Sequence, residues 1–267
     1  MSLFHLFLIA AIQGLTEFLP VSSSGHLVLL PALTNLQDQG LALDVAVHVG
    51  SLAAVVVYFW SDVKTAAAGC LRLIRGKIDT QGAFLALCLL LSTVPVCIAG
   101  FLITVTGFQD ALRSIAVIGW AMLGFGILLY WADRFSPTKK TTAGWSLKDA
   151  VTMGLAQALA LIPGTSRSGI TITAARRLGY ERQSAAKLSM LMSIPTIIAS
   201  GLVLSADVIG QADWATARDG AIAAIFAFLA ALLALSLMMR LLRSVSFTPY
   251  VVYRIALGLV LLFYAYS

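Results

Sequence analysis

Long uncharged runs alternate along the chain with short polar stretches that hold nearly all of its Lys and Arg residues. Uncharged windows cover 45–61, 80–109, 114–132, 188–206 and 220–239, and an apolar stretch at 247–267 is broken only by Arg254. About 20 apolar residues cross a bilayer as helix, so each window has the length of a span. Two regions fit this pattern badly. Residues 1–31 contain Glu17, Pro20 and a Ser-Ser-Ser-Gly-His run, and residues 148–175 contain Pro163, Gly164 and Arg167. Both are expected to be broken re-entrant hairpins, because irregular backbone survives at membrane depth only where protein or a wet cavity satisfies its polar groups. The expected architecture is an all-α polytopic membrane protein, with six transmembrane helices plus two re-entrant helical hairpins in one integral domain over 1–267.

Composition agrees with that pattern. The chain is 60% hydrophobic and 11% charged, against roughly 45–50% and about 25% for soluble domains. So few charges cannot cover a water-facing surface, and the lipid bilayer is the expected surroundings. A net charge of +6 does not point to nucleic acid, since the basic residues cluster between apolar runs. The stretches 61–79, 132–149, 176–187 and 240–254 hold fifteen of the 18 Lys and Arg residues. Arg113 and Arg218 fall on the other side with Asp38, Asp44, Asp110, Asp207, Asp213 and Asp219. That asymmetry obeys the positive-inside rule if both hairpins return to the side they started from. It predicts cytoplasmic basic loops, both termini outside, and a multi-pass membrane protein. The N-terminus is apolar without a preceding Lys or Arg, so it reads as mature structure and not as a secretory signal. Cys70, Cys88 and Cys97 form no CxxC pair and read as packing residues.

An internal repeat changes the picture further. A shift of 144 residues pairs Gln13 with Gln157, Leu15 with Leu159, Ser22 with Ser166, Ser24 with Ser168 and Gly25 with Gly169, five identities in thirteen positions. Repeat 1 covers about 1–131 and repeat 2 about 146–267. One copy starts from outside and the other from inside, so they are expected to have inverted topology, with their broken loops meeting near mid-membrane.

Within the apolar regions two charges lie well away from any end, Glu17 and Arg167. Intramembrane ionisable residues are costly and usually face a cavity or a partner. A buried ion pair tying the hairpins together would explain the charges, but not the hydroxyls of Ser22, Ser23, Ser24, Ser166, Ser168 and Thr171 around them. Small residues beside Gly25, Gly164 and Gly169 allow tight turns whose N–H groups converge at a helix start, which is an anion site. Arg167 adds a bidentate phosphate fork. Gln13 and Glu17 are four apart, so they share a helix face and point at the same cavity. Gln157, which matches Gln13 in the repeat, is expected to line the cavity with it, and His48 either lines the cavity or packs. Glu17 can take a proton or bind a divalent cation; His26 can be acid, base or nucleophile. Arg254 reads as a residue snorkelling from the last span to the inner interface.

At Gln13-Gly14-Leu15-Thr16-Glu17-Phe18-Leu19-Pro20-Val21-Ser22-Ser23-Ser24-Gly25-His26 and at Pro163-Gly164-Thr165-Ser166-Arg167-Ser168-Gly169 with Thr171, the chain resembles the bacitracin-resistance family of undecaprenyl pyrophosphate phosphatases. The family's first motif has Glu or Gln followed by Glu four residues on; with Gln13 in the first place, Glu17 is its one carboxylate here. The resemblance implies hydrolysis of undecaprenyl pyrophosphate to undecaprenyl phosphate, the lipid carrier of cell-wall assembly, with a divalent cation, Mg2+ or Ca2+, held at Glu17. It also implies a location in the bacterial inner (plasma) membrane with the site facing the periplasm, and it is compatible with a homodimer. Ser23 is then the expected nucleophile, with Glu17 or His26 assisting, and Arg167, Ser166, Ser168 and Thr171 on the pyrophosphate oxygens. Two other readings remain. A type 2 phosphatidic acid phosphatase is echoed by Ser23-Ser24-Gly25-His26, but Arg167 lacks the His that family places about six residues on. A transporter or flippase of polyprenyl phosphate would suit the same inverted repeat.

Overall fold

The computed structural model describes residues 2–27, 40–112, 114–208 and 214–267. Residues 28–31 of the first hairpin, and Asp38, Arg113 and Asp213 of the charge count, lie outside the described residues. Among the described residues the chain is helical with no strand, and one isolated parallel bridge joins Lys140 to Tyr180.

Helix α1 (Leu3–Glu17) starts at Ser2, whose hydroxyl accepts the His5 N–H at 3.2 Å, an N-cap that meets one of the unpaired first-turn donors. A turn follows, and α2 begins at 23 and is described through 27. Then come α3 (Leu41–Tyr58), α4 (Trp60–Ile74), α5 (Gln81–Thr106), the short α6 (Gln109–Leu112) and α7 (Ile115–Phe135). The second half holds α8 (Leu147–Ala158), α9 (Arg167–Arg177), α10 (Arg182–Val208), α11 (Trp214–Leu241) and α12 (Thr248–Tyr266). Thr80, Ser114 and Ser146 cap α5, α7 and α8 with their hydroxyls.

Among the described residues, six helical segments are long and apolar enough to cross a membrane: Leu41–Tyr58, Gln81–Thr106, Ile115–Phe135, Arg182–Leu204, Thr216–Leu241 and Thr248–Tyr266. Each overlaps one of the six windows read from the sequence. The stretch 61–79, expected as a loop, departs from that reading, because most of it continues as α4 with Phe59 alone between it and α3. Its charges mask a helix that buries a narrow face at Ala66 and Gly69. That face lies directly on α5, where a Cβ on Gly69 would stand 2.1 Å from the Gly82 carbonyl.

Helix α11 packs against α1 and α3, α5 against α4, α8 and α10, and α12 against α7, while α9 sits among α7, α8 and α10. Two glycines allow the first of these contacts. A Cβ on Gly14 would lie 2.5 Å from the Ala227 carbonyl oxygen, and one on Gly50 would lie 2.1 Å from that of Ala224. Both helices therefore rest on the α11 backbone at a separation that any side chain would forbid.

Helical backbone is interrupted between α1 and α2 and again between α8 and α9. Ser22 (φ 72°) and Ser166 (φ 68°), 144 positions apart, are the non-glycine residues with positive φ among the described residues. L-residues with a side chain avoid this region at a cost of about 1–2 kcal/mol. In both places the serine hydroxyl meets that of the serine two positions on, Ser22 with Ser24 and Ser166 with Ser168, each at 3.1 Å.

Candidate active site

The α1–α2 break carries the chain past Glu17 and brings Ser23 back towards it, because the left-handed Ser22 reverses the backbone at the start of α2. Glu17 is the centre of the resulting network. Its Oε2 accepts from Gln13 Nε2 at 2.9 Å and from Ser23 Oγ at 3.0 Å, and its Oε1 accepts from Arg167 Nη2 at 3.2 Å. His48 Nε2 stands 3.9 Å from Oε2. The side chains of Glu17 and Arg167 are 9% and 13% exposed, so this is a nearly buried ion pair joining the two halves of the chain. Such a pair contributes little to net stability once both desolvation penalties are counted, yet removing one partner is expensive.

Arg167 begins α9. Ser166 caps that helix by accepting the Gly169 N–H at 3.1 Å, and Arg167 also donates through Nη1 to the Ser189 carbonyl at 3.1 Å. The guanidinium lies 5.9 Å from the Phe18 ring centroid, its closest cation–π partner. A cavity of about 210 Å³ opens on this pair, lined by Glu17, Ser22, Ser23, Ser24, His48, Ser166 and Arg167, and on the α10 side by Thr196, Ile197 and Ser200. The cavity has a carboxylate already bonded to a hydroxyl, a cationic fork and several further hydroxyls. It can accept a phosphate and deprotonate a nucleophile beside it.

The other sequence-predicted residues divide. Gln157 donates to Thr196 Oγ1 at 3.1 Å, behind the cavity wall. Ser168 is buried and donates to the Leu19 carbonyl at 2.9 Å, and Thr171 shares a 2.6 Å bond with Ser189 Oγ, so both tie α9 in place instead of facing the cavity. Gly164 (φ +91°) lets the second loop lie on α7, where a Cβ would stand 2.4 Å from the Ile118 carbonyl oxygen. Gly169 faces Arg254, whose Nη1 would stand 2.6 Å from a Cβ placed there. His26 turns the other way. Its Nδ1 meets the Ser22 carbonyl at 2.7 Å, its Nε2 meets the Tyr253 hydroxyl at 2.5 Å, and its ring stacks on Tyr253.

Arg254 departs from the snorkelling expectation. It is fully buried, with Nη2 donating to the carbonyls of Thr165 at 2.8 Å and Gly164 at 3.0 Å, Nη1 to Pro20 at 3.4 Å and Nε to Met122 at 3.3 Å. One guanidinium thus serves carbonyls from both loops and from α7. The broken backbone supplies acceptors at depth, which removes any reason for the side chain to reach for the interface. Sequence reasoning also missed the α10 wall. Ser189, Ser193, Thr196 and Ser200 recur at intervals of four, three and four residues, a hydroxyl stripe on one helix face. That spacing inside an otherwise apolar window was the available signal.

Among the described residues no group of three His, Cys, Asp or Glu side chains could hold a metal ion. The donors that line the cavity are oxygens, the Glu17 carboxylate and the Ser23 and Ser24 hydroxyls; Gln13 does not reach the cavity lining, and its Oε1 is buried with no hydrogen-bond partner among the described residues. This set fits a hard cation whose remaining ligands come from a bound diphosphate, as Mg2+ is commonly held.

An all-α, multi-pass membrane protein with two interrupted helices closing a carboxylate, a serine and an arginine around one polar cavity is the class that this fold and site define. Within that class the chain belongs to the family of the bacitracin resistance protein BacA, whose family model matches residues 6–260. It is 75% identical over 267 residues, all of both chains, to a Roseobacter denitrificans protein named undecaprenyl-diphosphatase. Proteins of the same name from Dinoroseobacter shibae and Maricaulis maris are 67% identical over all of both chains and 45% identical over 98% of both.

Proposed function

We propose that the chain hydrolyses undecaprenyl pyrophosphate to undecaprenyl phosphate and inorganic phosphate, recycling a lipid carrier of cell-wall polymers and thereby conferring bacitracin resistance. The observation that carries this reading is the 3.0 Å bond from Ser23 Oγ to Glu17 Oε2, made beside Arg167 in a cavity among membrane helices. The family and the names of its members support the substrate.

Ser23 Oγ attacks the terminal phosphorus, forming an O–P bond, while its proton passes to Glu17. The P–O bond to the bridging oxygen breaks, the Glu17 proton passes to the departing undecaprenyl phosphate, and the carboxylate is restored. Water then attacks the phosphoserine and gives its proton to Glu17, the Ser23 Oγ–P bond breaks as that proton returns to Ser23 Oγ, and inorganic phosphate departs. Arg167, with the Ser22, Ser24 and Ser166 hydroxyls, holds the non-bridging oxygens where charge develops. A divalent cation at Glu17 would neutralise part of the diphosphate charge when bound. The bond from Ser23 to Glu17 supports Glu17 as the base ahead of His26, which is engaged with Tyr253.

The site is read as facing the periplasm, with both termini on that side. His48 lies in the N-terminal half of α3 and Thr196 and Ser200 in the C-terminal half of α10, both away from the helix ends that carry the basic loops. The positive-inside rule puts those loops in the cytoplasm. Phosphate release from undecaprenyl pyrophosphate by purified protein with Mg2+ or Ca2+, set against an Arg167→Ala variant, tests the function. Release that disappears in the variant is expected. Absence of release by the parent protein would turn the reading towards transport of a polyprenyl phosphate.

A further inference from the structure

We propose that the basic end of the bundle carries a second site, one that binds the phosphate-bearing headgroup of a membrane lipid. A cavity of about 340 Å³ lies there between the ends of α7, α9, α10 and α11, lined by Asp133, Arg134, Ser136, Arg176, Arg182 and Arg243 among others. It shares no lining residue with the Glu17–Arg167 cavity.

The charges in this cavity are not balanced. Asp133 is its central carboxylate, and both Arg176 Nε and Arg182 Nε bond to its Oδ1 at 2.9 Å. Asp133 also accepts the Phe247 N–H at 3.2 Å, so its two oxygens are already filled by the fold. Glu181 faces the same cavity and accepts from the Ser184 hydroxyl at 2.9 Å. Four guanidiniums therefore meet two carboxylates. Arg134 and Arg243 are exposed and make no ion pair with any described residue. Ser136 Oγ has no hydrogen-bond partner among the described residues. Planar forks with unfilled donors beside a hydroxyl donor are the recognition chemistry of a phosphate.

A second observation favours a lipid over free phosphate. A cavity of about 390 Å³ adjoins the first and shares Gln183 and Arg243 with it, and its other walls are Tyr58, Ser236, Met239 and Arg240. Leu237 and Leu241, on the same stretch of α11, are about half exposed at 50% and 48%. A headgroup among the arginines therefore has a partly apolar groove in which to lay its chain, running onto a surface that faces acyl chains. Basic pockets between helices at the cytoplasmic end are where anionic headgroups are held in membrane proteins generally.

The test uses the full chain in neutral detergent, with retention of phosphatidylglycerol and of phosphatidylcholine read by native mass spectrometry. Phosphatidylglycerol is expected to be retained in preference, and the Arg134→Ala/Arg243→Ala variant to lose about tenfold in its affinity. A Lys77→Ala/Lys148→Ala variant removes the same charge from the same end outside the cavity and is expected to change affinity less than threefold. An Arg134→Gln/Arg243→Gln variant keeps the aliphatic stems and should match the alanine pair, with Tm within a few degrees of the parent in both. Equal retention of the two lipids would overturn the proposal, as would equal losses in the pocket and control variants. Full displacement of the lipid by millimolar inorganic phosphate would overturn its lipid identity, leaving a site for the free ion.

Discussion

Glu17 is asked to do three things at once: bond Ser23, pair with Arg167 and accept from Gln13. Neutralising it removes the base and leaves the Arg167 charge buried without its partner. Glu17→Gln is therefore expected to lower kcat by about 10²–10⁴-fold, the usual contribution of a positioned general base, and to lower Tm as well. Ser23→Ala should abolish release with Tm nearly unchanged, since it removes one bond at the cavity wall. A Ser23→Ala protein that is folded and keeps near-parent release would transfer the nucleophile role to His26 or to water. His26 and Tyr253 give the contrast. Tyr253→Phe removes the 2.5 Å bond to His26 but touches neither Glu17 nor Ser23, so a kcat loss below about tenfold is expected. Glu17 and Arg167 stood out in the sequence because the bilayer should exclude them. The direction in which His26 points was not legible, because it depends on a partner 227 positions away.

The two helix breaks are where local geometry and function conflict. Ser166 holds a left-handed backbone at φ 68° and at the same time caps α9 through the Gly169 N–H. Glycine in its place relieves about 1–2 kcal/mol of backbone strain and costs only a few tenths as a cap. Ser166→Gly is thus expected to match or exceed the parent in thermal stability while releasing phosphate more slowly, a split that Tm and kcat measured together will show. Gly164 is the opposite case. Alanine there must take φ +91° and meet the Ile118 carbonyl, so Gly164→Ala should destabilise by about 2 kcal/mol or more. The elements themselves were readable from hydropathy windows, and the breaks from Pro, Gly and Ser clusters. Helix α4 was not, because its charges shorten the apolar pattern although three consecutive alanines, Ala66 to Ala68, favour helix.

For the bundle as a whole, the proposed arrangement puts the basic loops at one end and has the candidate site open away from it. Single-cysteine labelling in a cysteine-free background checks this arrangement. With a membrane-impermeant thiol reagent on intact cells, Tyr266→Cys is expected to label and Lys139→Cys to label only after the membrane is opened. The opposite pattern would invert the molecule. Six spans and their charge asymmetry were legible in the sequence because they depend on composition over long windows. The tight seating of α1 and α3 on α11 was not, since nothing in the sequence says which backbone faces Gly14 or Gly50. Gly50→Ala, which would place a methyl 2.1 Å from the Ala224 carbonyl oxygen, is expected to cost about 1–3 kcal/mol by overpacking.

Arg254 links these observations in time as well as in space. It belongs to α12, and its guanidinium fills the carbonyls of Pro20, Gly164 and Thr165 in both loops. A nascent chain that has inserted everything through α11 already holds Glu17, Ser23 and Arg167. The Glu17–Arg167 pair and the bond from Ser168 to the Leu19 carbonyl can already join the two loops. The carbonyls of Pro20, Gly164 and Thr165 meet their shared donor only when α12 arrives, so the backbone around the pocket is completed after its reactive side chains are in the membrane.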